Sequence, residues 1–146
     1  MTDTPQFCGH PRDAALGVLA RARPDRASAL AESLLNPLGT VEVITSRSGL
    51  VMVPMRDTVH GTDFHLGEVL VSEAHIRAAG CFGYGMVTGR DLTRAMSMAV
   101  IDAAGQAGIA IPAITDFLNA EAAHQQAEDT RRLRDIAATR VDLETL

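Results

Sequence analysis

The stretch Gly80–Ala104, GCFGYGMVTGRDLTRAMSMAVIDAA, passes from an extended segment into a helix, and the rest of the chain is arranged around that joint. Cys81 to Val87 reads as a strand, with small residues at Gly83 and Gly85 where something can lie close against it. The pattern breaks at Gly89. From Asp91 onward Leu92, Ala95, Met96, Ala99, Val100 and Ala103 recur at helical spacing and predict an amphipathic helix. Asp91 stands at the N-cap position, where a carboxylate can accept from the free N–H groups of the first turn. Met98 and Ile101 fall on the opposite side, so the helix is apolar nearly all round and should be covered twice. The second cover is expected to be another protein.

Two readings of Gly83, Tyr84, Gly85, Gly89, Arg90 and Asp91 stay open. In one, free backbone donors at a helix start and the Arg90 guanidinium form a site for an anion or substrate. In the other, the glycines admit a neighbouring backbone and Arg90 pairs with a carboxylate of Asp91, Glu68 or a partner. The spacing Gly83-x-Gly85-x-x-x-Gly89 is one residue too long for the dinucleotide fingerprint, and no GxxxxGK[ST] loop is present.

Composition narrows the function classes. A length of 146 residues suits one domain, 1–146, with a core of its own. Aromatic residues make up 3% and tryptophan is absent, which removes the stacking platforms of a single-strand binder. The net charge of −5 argues against a general nucleic-acid module. No run of 18 apolar residues occurs, and residues 1–13 carry no signal pattern, so a cytoplasmic protein is expected. Cys8 and Cys81 are isolated and cannot build a zinc or iron–sulfur site alone.

The remaining chain predicts an α+β fold. Residues 1–12 read as a flexible arm. Helices are expected from Asp13 to Ala22 and from Pro24 to Leu35, a helical hairpin stopped by Asn36-Pro37. A four-stranded antiparallel meander follows: Val41–Thr45, a turn at Ser46–Gly49, Leu50–Met55, a long strand Phe64–His75, and Cys81–Val87. Gly67 marks a bulge, and Pro54 an edge or a bulge. The C-terminal helices pack on the sheet or on partners. The last runs from Ala113 to Ala138 with a thin apolar stripe (Leu118, Ala122, Leu133, Ile136, Ala137) and an expected Glu128–Arg132 pair. Such a helix either bridges to something else or is marginal by itself. Residues 139–146 read as an extended tail, with Arg140, Val141 and Asp142 able to pair with a sheet edge.

Candidate metal ligands are few. Glu73 and His75 share a strand face, with His65 beside them if no bulge intervenes, but a solvated face explains them as well. His60 lies in a glycine loop and His124 on the charged helix. Ser-elbow, HExxH and kinase patterns are absent, so neither catalytic nor metal-binding residues are assigned.

Several segments together are similar to a known family. Gly83-Tyr84-Gly85-Met86-Val87-Thr88-Gly89-Arg90-Asp91, then Ala99-Val100-Ile101-Asp102-Ala103 and Arg140-Val141-Asp142, resemble the PhnG subunit family of bacterial carbon–phosphorus (C–P) lyase. So do Arg47-Ser48-Gly49-Leu50-Val51-Met52-Val53 and Phe64-His65-Leu66-Gly67-Glu68-Val69-Leu70-Val71. The resemblance implies a hetero-oligomer subunit that works with PhnH, PhnI and PhnL to displace adenine from ATP with a phosphonate. PhnJ, a radical S-adenosylmethionine subunit of the shared core complex, then cleaves the C–P bond. It implies no cofactor on this chain alone, ATP and phosphonate being substrates of the complex, and no catalytic residue here. Met98, Ile101, Arg140, Val141 and Asp142 are then candidate partner contacts. The rival expectation is an independent anion- or nucleotide-binding homodimer using the same joint.

Overall fold

Helix and sheet alternate in blocks. The structure, a computed structural model, describes residues 5–144; side chains at 55, 64–66 and 141–144 lie outside that description. The order is β1 (Gln6–Phe7), β2 (His10–Pro11), α1 (Arg12–Ala20), α2 (Pro24–Leu38), β3 (Val41–Arg56), β4 (Asp63–Ala78), β5 (Cys81–Thr88), α3 (Leu92–Gln106) and α4 (Ile111–Glu144). Strands β1 and β2 pair with each other, and β3-β4-β5 form an antiparallel sheet in that order.

The meander has three strands, not the expected four. Ser46 to Gly49 does not turn; it pairs in register with Ala74, Glu73, Ser72 and Val71. Strand β4 is as long as β3, at 16 residues each, so local turn chemistry loses to a continuous ladder. The Ser48 and Ser72 hydroxyls meet at 3.1 Å across it. Two register steps remain: Ile44 is extra on β3, and Leu66 is extra on β4 beside Gly67, where a bulge was expected. Pro54 lies at that second step, on the edge strand.

Small residues set the packing of α3 on the sheet. A Cβ on Gly83 would collide with the Ala99 carbonyl, and one on Gly85 with the Ala95 carbonyl. Ala95, Ala99 and Ala103 are all fully buried, one turn apart, and bring the helix backbone down onto β5. Ala74, Ile76 and Ala78 of β4 complete that face.

The other side of α3 is covered by this chain itself. Helix α2 packs on it through Ala27, Ala31, Leu34 and Leu38, and α1 through Ala15 and Leu19. Met98 and Ile101 are therefore buried, and the expected partner-facing side is corrected: the second cover is internal. Helices α1 and α2 each pack chiefly on other elements, so the expected hairpin is a pair of separate supports. Pro37 does not stop α2; the helix runs one residue further to bury Leu38 and closes at Gly39, φ 76°.

Both termini differ from expectation. Residues 5–12 are not a loose arm. Phe7 is buried with its ring against Gly105, and the Arg12 N–H donates to the Pro5 carbonyl at 2.9 Å. Residues 139–144 are helical, not extended, because no glycine or proline follows Pro112 to end α4. The helix has 34 residues, about 51 Å at 1.5 Å per residue. Ile114, Leu118, Glu121 and Gln125 face the body, while 131–140 are exposed throughout.

Candidate functional site

Only part of the predicted joint reaches the surface. Gly83 and Gly85 lie beneath α3 and serve the close approach of helix to strand. Gly89 turns the chain with φ 90°, its N–H donating to the Leu70 carbonyl at 2.7 Å. Ser72, fully buried, holds the turn from below. Its hydroxyl donates to the Gly89 carbonyl at 2.8 Å and accepts from the Asp91 N–H at 2.8 Å. The Asp91 carboxylate accepts from the Arg94 N–H at 3.1 Å, the N-cap bond that the sequence predicts. Arg90 between them is exposed. Neither Asp91 nor Glu68 pairs with its guanidinium, and it has no ion-pair partner among the described residues. Arg94 turns inward instead and donates to the Ala20 carbonyl at 3.0 Å, at the end of α1.

Tyr84 points to the other face of the sheet. Its hydroxyl donates to Glu73 at 2.9 Å, and Arg47 approaches the same carboxylate at 3.5 Å. Burial, then the bond to Glu73 and its charge, raise the phenol above its ordinary value, against the opposing charge of Arg47. The His75 ring lies 5.5 Å from Phe82 and 6.1 Å from Tyr84, centroid to centroid. Glu73 and His75 thus share a face as expected, but Glu73 is already engaged. No group of three His, Cys, Asp or Glu that could hold a metal occurs among the described residues. The side chain of His65 lies outside them.

Two buried carboxylates, Asp102 and Glu121, have structural roles that sequence periodicity does not reveal. Asp102, fully buried on α3, accepts both Arg12 Nη atoms at 2.9 and 3.0 Å and the Tyr84 backbone N–H at 2.9 Å. Strand β5 has a neighbour on one side only, so Asp102 satisfies a donor that faces away from the sheet. Glu121 takes the Arg23 side chain at 3.0 Å and its backbone N–H at 3.2 Å. Burial pushes its carboxyl up, but the Arg23 bonds and charge outweigh this and leave it below the usual range. The available signal was an acid inside an apolar helical run, which says nothing about its partner. Cys8 and Cys81 are free thiols, and burial raises that of Cys8.

What the surface leaves open is extended. Strand β5 pairs with β4 only over Val71–Ala78, so the far half of the β3–β4 hairpin has no third strand. Leu50, Val51 and Met52, successive and therefore alternating between its faces, are all exposed. The far half of α4 is the second open element, with Leu133 at 67% and Ile136 at 58% exposure. Arg140 sits on it as well, with Val141 and Asp142 continuing the helical backbone.

The model of the family described as phosphonate metabolism protein PhnG matches residues 10–146. The chain belongs to the PhnG family. The chain is similar to a Rhizobium meliloti (strain 1021) protein, alpha-D-ribose 1-methylphosphonate 5-triphosphate synthase subunit PhnG. It is 34% identical over 130 residues, covering 88% of this chain and 83% of the relative. HtxH of Stutzerimonas stutzeri, whose name assigns it to C–P lyase as a subunit, is 32% identical over 112 residues. That match covers 68% of this chain but only 30% of HtxH, so the PhnG-like part is a minor share of a longer protein.

Proposed function

We infer that the chain is a subunit of a C–P lyase system in phosphonate metabolism. In this reading it supports transfer of the ribose 5-triphosphate of ATP to a phosphonate with loss of adenine. Its contribution is architectural: it organises other subunits, and the reacting groups come from them. The observation that carries this is the pairing of a family match over 10–146 with two open elements on one small core, the far β3–β4 hairpin and the far half of α4. A two-stranded ribbon without a third strand or a covering layer is marginal in water. A long helix with a thin apolar stripe needs a partner for that stripe.

The test is co-purification. The tagged chain, co-expressed with PhnH, PhnI, PhnJ and PhnL, is expected to bring them down in fixed stoichiometry, while the isolated chain shows no transferase activity. An isolated chain that binds ATP tightly and leaves those proteins behind would overturn the reading in favour of an independent nucleotide-binding protein.

Arg90 belongs to the same proposal as a contact for a phosphate or phosphonate, supported by its exposure and by the rigid Ser72-held turn that presents it. Arg90→Ala is expected to lower transferase activity by about 10- to 100-fold while the complex still assembles. Loss of assembly in that variant would place Arg90 in a subunit interface instead.

A further inference from the structure

We propose that the far half of α4 docks on another subunit through an apolar groove walled with acidic side chains; this rests on the subunit reading above. Residues 131–140 are exposed on every side, so the body of the chain supplies no cover for them. Leu133 and Ile136 lie three apart on the helix and are neighbours on its surface. Around them stand Arg131, Arg132 and Arg134. Residues 131–136 hold three arginines against one aspartate, a balance of +2 in under two turns of a chain whose total is −5. None of the three arginines is within ion-pair distance of an acidic group among the described residues.

The first half of the same helix behaves differently. There Asp129 is held by Arg21 at 2.9 Å, Glu128 by His124 at 3.1 Å in place of the expected Arg132, and Glu121 by Arg23 at 3.0 Å. Glu121, Glu128 and Asp129 are thus paired where the helix lies on the body, whereas Arg131, Arg132 and Arg134 form no ion pair among the described residues where it leaves it. An acidic partner surface supplies the missing half. A nucleic acid would take the arginines but leave Leu133 and Ile136 in water. A second copy paired symmetrically through this patch would set the same arginines against one another. The apolar pair would anchor the complex, and the arginines would steer and orient its approach.

The experiment uses the full chain with the remaining subunits of its system and follows the dissociation constant against sodium chloride. Wild type is expected to weaken by about tenfold between roughly 0.1 and 0.5 M salt, since exposed charges are screened over that range. Arg131→Glu/Arg132→Glu/Arg134→Glu should weaken binding by about 100-fold at low salt and remove the salt dependence. Leu133→Ser/Ile136→Ser should weaken it by about tenfold or more at every salt and keep the slope. Circular dichroism should show both variants folded, because the altered side chains touch no core. Arg26→Glu, exposed on α2, is the control and should bind as wild type.

Wild-type-like affinity of the charge-reversed protein would overturn the proposal. So would loss of self-association, with no change in subunit binding, since the occupant would then be a second copy. If the wild-type chain captures none of the subunits, the subunit reading itself has failed.

Discussion

Gly85 shows how one missing methyl fixes a layer spacing. Its position under the Ala95 carbonyl leaves no room for a Cβ, and the opposing atom is backbone, which cannot swing aside. Gly85→Ala is expected to cost about 3 kcal/mol, read as a lowered urea midpoint, as overpacked cores do. Gly49→Ala, with open space at the same test, should stay within about 0.5 kcal/mol of wild type. Asp102 is the second residue on which much depends. Removing its carboxylate leaves Arg12 and the Tyr84 N–H without their acceptor. Asp102→Ala should therefore cost about 3 kcal/mol, the low end for a broken buried pair, because the Arg12 side chain keeps 30% exposure to water. Glu121 adds a pH dependence. Its folded-state carboxyl lies below the ordinary 4.5, so it binds fewer protons folded than unfolded and stabilises the protein above that value. The contribution fades as pH falls through the lower, folded value. Glu121→Gln should flatten the acid limb of the stability curve below about pH 4.5, and an unchanged limb would show the Arg23 bonds to be weak.

Helices and the joint were the most legible elements, and the reason is local. The stripe from Leu92 to Ala103 and the cap at Asp91 depend on near neighbours, and both stand as read. The glycine pair was half legible: a close approach could be expected, but not that Ala99 and Ala95 would be what approaches. The turn expected at Ser46–Gly49 does not form because its fate is set by β4, about 25 residues away in sequence, which offers a partner to every residue from Ser46 to Gly49. Likewise Met98 and Ile101 were placed on the right side of α3, but the cover proved to be α1 and α2. No periodicity says whether a second apolar face meets the same chain or another. Helix α4 divides at this level too. Among the described residues, buried contacts with the body end at Gln125, so a chain ending after residue 130 should keep its melting temperature within about 2 °C while losing helical ellipticity. A large drop would mean that the projecting half supports the core.

The molecule as a whole is a small core, α3 clasped between sheet and helices, from which two long elements extend. Strand β5 covers 8 residues of β4, and the other half of that 16-residue strand has only β3 beside it. Stability should therefore be uneven along a single ladder. Amides of β4 from Ser72 to Ala78, between two strands and under α3, are expected to exchange hydrogen only by global opening. Amides of β3 and β4 beyond Gly49 and Leu70 have no covering layer and should exchange by local fraying, faster by about 100-fold or more in the isolated chain. In the assembled C–P lyase the two rates should converge, because a partner that covers Leu50, Val51 and Met52 removes the fraying route. Hydrogen exchange read by mass spectrometry on the free chain and on the complex measures both halves in one experiment. A far hairpin already protected in the free chain would mean that it is stable without partners. A hairpin still unprotected in the complex would leave α4 as the element through which the subunits are held.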